Sequence, residues 1–168
     1  MNAEISKLIQ KAIEYDKGDP RRINHLLKVH SFSRTIGELE GLEAEAQRIL
    51  EAAAVLHDIG IHESERKYNS ATGEYQQLEG PPIARKMLDE LGFEEDFIER
   101  VCFLIAHHHI YNSVDGADYQ ILIEADFLVN AFEDDMPEKQ IQSIKNKIFK
   151  TKAGTEFLCN IFTEKYVY

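Results

Sequence analysis

Apolar residues recur along this chain with the period of a helix. Ile5, Leu8, Ile9, Ala12 and Ile13 stand at i, i+3, i+4, i+7 and i+8, one face of an amphipathic helix over residues 1–17. Gly18 interrupts that pattern. Asp19 then suits an N-cap and Pro20 the first position of a second helix, which carries Val29, Phe32, Ile36 and Leu39 and ends at Gly41, a C-cap residue. A third helix covers about 43–59. Between Ala52 and Leu56 it has no polar side chain; Ile49, Ala53 and Leu56 share one face, and Ala54, Val55 and Ile59 cover most of the rest, so it is buried all round. The stretch from Ile61 to Gly80 shows no such period and is predicted to be a loop, long enough to carry function. Pro81 and Pro82 open a fourth helix that ends near Gly92. Glu94, Glu95 and Asp96 put acid into the first turn of a fifth, with Phe97, Val101, Leu104 and Ile105 on one face. A further helix is expected over about 118–134. Residues 119–129 have a strand-like composition, but no partner strand exists for them. After Pro137 a last pair runs over 137–168 with Ile141, Ile144 and Ile148 aligned. The pattern predicts an all-α bundle forming a single domain.

Several polar residues fall on the apolar stripes. His25 lies four residues before Val29, and His108 continues the Leu104 face. Asp126 shares its face with Leu122 and Val129, and His57 and Asp58 follow directly on the apolar run. Taken singly, each reads as a core residue satisfied by a neighbour, and Asp58 also fits a helix end that surfaces at Gly60. Together they are five nitrogen or oxygen donors directed into one core, as in metal sites built between facing helices. Imidazole and carboxylate without thiolate favour Mn, Fe, Co, Ni or Zn. Consecutive helical residues fan through about 200° over three positions, so His107, His108 and His109 cannot all face one ion. Phase selects His108. His107 falls on the flank and His109 near the helix end, where each reads either as a surface residue or as a supporting or substrate contact.

With 168 residues, 43 % apolar and 29 % charged, the chain has the make-up of one folded domain. A net charge of −11 argues against a nucleic-acid surface while leaving room for a local basic pocket. The cluster Lys145, Lys147, Lys150 and Lys152 reads as a solvated helix face. Cys102 and Cys159 are far apart in apolar helical patterns and read as reduced core residues. The N-terminal residues do not resemble a signal peptide, and no apolar run approaches the roughly 18 residues of a membrane span, so a cytoplasmic protein without membrane contact is expected.

The order of these residues has a family likeness. Residues 25–29, HLLKV, resemble the H-x-x-[RK]-V opening of the HD-domain superfamily of metal-dependent phosphohydrolases. Residues 54–60, AVLHDIG, resemble its defining A-L-L-H-D-I-G motif, and residues 78–84, LEGPPIA, look like its third element, H-G-x-x-[GA]-A. Ile105, His108 and His109 are similar to the fourth element, and Glu124 to Asp126 to the last. The likeness spans about residues 20–132 and implies an HD-type domain over 1–168. It also implies one or two divalent ions (Fe, Mn, Co, Ni, Zn or Mg). His25, His57, Asp58 and Asp126 would hold the first, and Glu79 and His108 would add ligands for a second, with Asp58 bridging. The implied substrate is a nucleotide or other small phosphoester, and the element at Leu78 to Pro81 looks most like bacterial enzymes that cleave diadenosine tetraphosphate. Asp58 would orient the attacking water and His108 or His109 would protonate the leaving oxygen. Two departures stand out. Glu79 replaces the family histidine, and Ile61 replaces the lysine that usually follows the motif, so Lys67, Arg66 or Arg85 is expected to meet the phosphate instead. A homodimer is compatible with all of this. So are three rival readings: a non-catalytic nucleotide-binding regulatory module, a di-iron oxygenase of the same fold, and a plain bundle with satisfied core histidines.

Overall fold

The computed structural model describes residues 3–162, and over them the chain is helical without a strand. The helices are α1 (Ala3–Tyr15), α2 (Pro20–Glu40), α3 (Ala44–Leu56), α4 (Ile61–Tyr68), α5 (Gly73–Leu91), α6 (Glu95–His107), α7 (Ala117–Glu133), α8 (Glu138–Lys147) and α9 (Lys152–Phe162). Residues 1–2 and 163–168, the expected ends of the first and last helices, lie outside the described residues. No helix among those described is long and apolar enough to cross a membrane. Neither Cys102 nor Cys159 forms a disulfide among the described residues.

Helix α3 is the hub, as its apolar circumference requires. It packs against α2, α6 and α7, while α1 rests on α3 and α5. Every residue from Leu50 to Leu56 is buried. Helix α2 begins as its sequence dictates: Asp19 Oδ1 accepts the Arg22 amide at 3.1 Å and Pro20 fills the first turn. It ends at Gly41, which takes φ 74°, a left-handed value that a side chain would strain. Leu39 is not part of the core stripe; it lies in the last turn and is 64 % exposed.

Residues 61–80 are helical and not a loop. Ile61–Tyr68 forms α4, and α5 starts at Gly73 and not at Pro81, so residues 69–72 alone separate the two. Helix α4 escaped the periodicity because it is short and polar, burying Ile61 and Ser64. Pro81 and Pro82 sit inside α5, where each removes a backbone hydrogen bond that would have ended on Gln77 or Leu78. Packing of α5 along α6 and α4 overrides that local cost.

Two latches fix α7, one near its start and one at its middle. Tyr119, fully buried, donates its hydroxyl to the carbonyls of His107 and Ile110, both at 2.5 Å, and so holds the segment after α6. Glu124, also fully buried, accepts the Lys150 amide at 2.6 Å and the Thr151 amide at 2.9 Å, besides the Thr151 hydroxyl, and so ties the start of α9 to α7.

The turn after α3 comes close to α5 at two glycines. A Cβ on Gly60 would stand 2.6 Å from the Gly80 amide nitrogen and 2.8 Å from the Gln76 carbonyl, both backbone atoms that cannot swing away. Gly60→Ala is therefore expected to destabilise the protein by about 1–3 kcal/mol, as overpacking does. Urea unfolding would read it, and a midpoint equal to that of the parent would refute the close approach.

Candidate metal centre

The turn at the end of α3 puts His57 and Asp58 where α2, α6 and α7 converge. His25 comes from α2, His108 from the last residue beside α6, and Asp126 from the middle of α7. His57 is fully buried, His108 is 1 % exposed, and His25 and Asp126 are nearly so. Asp58 differs: 28 % of its side chain stays open toward a cavity. That cavity holds about 380 Å³ and is lined by His25, Asp58, Ile61, Gln76, Asn130 and Glu133, among others.

The hydrogen bonds fix which ring nitrogens are free. A carbonyl oxygen only accepts, so His57 Nδ1 donates to Ala54 O (2.9 Å) and His108 Nδ1 donates to Ile105 O (2.8 Å). His25 Nδ1 likewise donates to the Glu133 carboxylate at 2.9 Å, whose other oxygen takes the Lys28 ammonium at 2.6 Å. All three Nε2 atoms therefore turn lone pairs inward. His25 Nε2 and His57 Nε2 are 3.1 Å apart. Asp126 Oδ1 lies 3.3 Å and 3.5 Å from them, and Asp58 Oδ2 is 3.6 Å from each. His108 Nε2 is buried without a hydrogen-bond partner among the described residues, 3.6 Å from Asp58 Oδ1. Lone pairs and carboxylates crowded together in a desolvated space repel one another unless a cation joins them. The donor set fits a divalent ion. His25, His57 and Asp58 form one group able to hold it, and Asp58, His108 and His109 form a second that shares Asp58.

Without an ion, protons take its place. Burial works to lower the His57 pKa, but the Asp58 and Asp126 carboxylates beside it outweigh burial and raise it to about 9. Both carboxylates are in turn held below their usual range, against burial, by the surrounding imidazoles. His109 goes the other way: burial, then His108, push it down to about 4, so its ring is unprotonated at neutral pH. Its Nε2 contacts Gln76 Oε1 at 3.2 Å, which leaves Nδ1 as the free lone pair. Such a ring suits a ligand or a proton acceptor better than a proton donor.

The remaining expected residues are elsewhere. Glu79 lies outside the cluster, its carboxylate taken by Lys67 at 2.7 Å and the Tyr68 hydroxyl at 2.8 Å. Gln76, one turn earlier on α5, reaches the cavity in its place. Lys67 is thus occupied by Glu79. Arg66 is paired with Glu63 at 2.8 Å, and Arg85 is paired with Glu95 and Glu99 on the surface; none of the three lines the cavity. Ile61 does line it. His107 is half-buried, stacked on Phe103 and turned from the centre. The sequence reading missed Asn130, which donates to Asp126 Oδ1 at 2.8 Å, and Glu133. Both follow Asp126 on one face of α7, at i+4 and i+7, so helical phase could have found them.

A protein-family model described as the HD domain matches residues 22–150. A crystal structure described as that of a predicted HD superfamily hydrolase from an uncultured Thermotogales bacterium matches with a TM-score of 0.64 and 22 % sequence identity, covering 94 % of this chain and 82 % of that one. At that identity the likeness is one of fold. No curated protein matches the chain.

Two outcomes follow from the geometry. Protonated His57 stabilises the metal-free fold fully below its ordinary pKa of 6.5, and the contribution is lost as pH rises through about 9. The melting temperature of chelator-treated protein is therefore expected to fall between pH 6.5 and 9. A bound ion displaces that proton and abolishes the fall; a rise over the same window would contradict the assignment. Glu133→Ala, which frees the His25 ring, is expected to weaken divalent-metal affinity roughly 10–100-fold, read by competition with a chromophoric chelator.

Proposed function

This chain belongs to the HD domain family, and on that footing we propose that it is a metal-dependent phosphohydrolase acting on a nucleotide or another small phosphoester. The observation that supports it most is the pair of donor groups that share Asp58, His25 and His57 on one side of its carboxylate and His108 and His109 on the other, with Asp58 opening to a cavity of about 380 Å³. That volume is within the range of small-molecule sites. The fold likeness to a protein described as a predicted hydrolase agrees with the reading.

His25, His57, Asp58 and Asp126 would hold the ion, with His108 and His109 available to a second around Asp58. When bound, a divalent cation supplies Lewis acidity, which acidifies water and polarises a phosphoryl oxygen. The protein's own contribution is order. Backbone carbonyls lock two rings, and Glu133 locks the third, so the lone pairs are aimed before the ion arrives. Asp58 remains ionised and reachable from the cavity, where it can orient a water and receive its proton. His109, neutral at pH 7, can accept a proton beside it.

Elemental analysis of the parent and of a folded Asp58→Ala variant tests the reading, together with hydrolysis of bis-p-nitrophenyl phosphate and of nucleoside phosphates. Near-stoichiometric metal is expected in the parent and reduced metal in the variant, with hydrolysis down roughly 10²–10⁴-fold, the usual worth of a positioned acid or base. Metal absent from the parent even after reloading, or hydrolysis indifferent to chelation, would overturn the proposal.

A further inference from the structure

We infer that Arg22, with Arg21 beside it, is the phosphate-binding element of this site, an assignment that rests on the hydrolase reading above. The cavity that exposes Asp58 is walled by five carboxylates, and its cations are Arg21 and Arg22. An anion entering such a cavity meets net negative charge, so it needs the bound metal and every cationic donor the wall can offer. Both arginines belong to the first turn of α2. They stand four and three residues before His25, on the helix face that carries this ligand to the cavity.

Arg22 is already braced for the task. Its Nε lies 3.0 Å from Asp19 Oδ2 and its Nη2 is 2.7 Å from Glu65 Oε1 on α4, with 22 % of the side chain exposed. The Glu65 hydrogen bond and the Asp19 ion pair thus hold the guanidinium at the cavity wall, while Nε is buried without a hydrogen-bond partner among the described residues. A planar fork held in advance loses little freedom on meeting a phosphate. Arg21 is the exposed member of the pair. It is 76 % exposed and its one ion pair, to Asp134, is long at 3.4 Å. Asn130 and Gln76 supply neutral amides on the same wall. The alternative role for Arg22 is only to tie α2 to α4, and the two roles predict different losses.

The test uses the full chain loaded with Mn²⁺, with metal content checked for each variant. Inorganic phosphate binding is measured by calorimetry, KM and kcat on a phosphomonoester, and stability by urea unfolding. Arg22→Gln is expected to raise the phosphate Kd and KM roughly 10–100-fold, as loss of hydrogen bonds to a charged group does, while metal content is kept. Arg22→Lys should recover part of the loss. Arg21→Gln, exposed and safe for folding, should cost roughly tenfold and carries the test if Arg22→Gln does not fold. Arg85→Gln, outside the cavity, should match the parent. If the parent hydrolyses phosphoesters but the Arg22 and Arg21 variants bind phosphate within twofold of it, the inference is wrong and the hydrolase reading stands. If the parent neither hydrolyses phosphoesters nor binds phosphate, both are wrong.

Discussion

Two imidazole Nε2 atoms 3.1 Å apart, with a third turned toward the Asp58 carboxylate beside them, are the constraint on which this structure turns. Nothing apolar can resolve that arrangement. Positive charge relieves it, either a proton on His57 or a cation that these groups could hold. Helix α3 is apolar on every side, so the turn that follows it is delivered to the interior. The neighbouring helices then each contribute a donor at the level of that turn. The carbonyls of Ala54 and Ile105 take the outward-facing N–H of His57 and His108, so backbone geometry, itself fixed by helix formation, decides the tautomers. Secondary structure and site chemistry are here the same set of hydrogen bonds.

The electrostatic balance shifts across the site. On the inner side, His57 and His108 are enclosed and carboxylates are held ionised by imidazole neighbours. Toward the cavity, five carboxylates face the two arginines Arg21 and Arg22, so the wall is acidic on balance.

Much of this was legible in the sequence. His25, His57, His108 and Asp126 could be picked out because each interrupts an apolar stripe at helical phase, a signal that survives any uncertainty in loop geometry. Asp58 was legible only as ambiguous, buried or surfacing, and the structure shows a residue that does both, with its backbone in the core turn and part of its carboxylate in the cavity. Glu79 was misplaced for a physical reason. Pro81 and Pro82 are the strongest helix-breaking signals in the chain, so α5 had no phase assigned before them, and the choice between Glu79 and Gln76 could not be made. The cationic side chains failed for another reason: whether an arginine meets a cavity or a surface glutamate depends on tertiary neighbours such as Glu95 and Glu99. Asn130 and Glu133 were legible in principle, but polar residues near a helix end carry no apolar context to mark them.

The Glu124 latch bears on where this domain can be cut. The last helix resembles an appendage in the linear order, beyond every motif. Yet Lys150 and Thr151, the two residues just before it, supply amide donors to the fully buried Glu124 carboxyl group, two residues from Asp126. A shortened chain ending before Lys150 would strip a buried carboxyl group in the middle of α7 of the Lys150 and Thr151 donors, leaving it the Gln120 amide, on the helix that positions Asp126. The structural unit thus extends past the last motif, and boundaries for expression, fusion or domain grafting are set by a hydrogen-bond acceptor in the interior more than by the reach of the motifs.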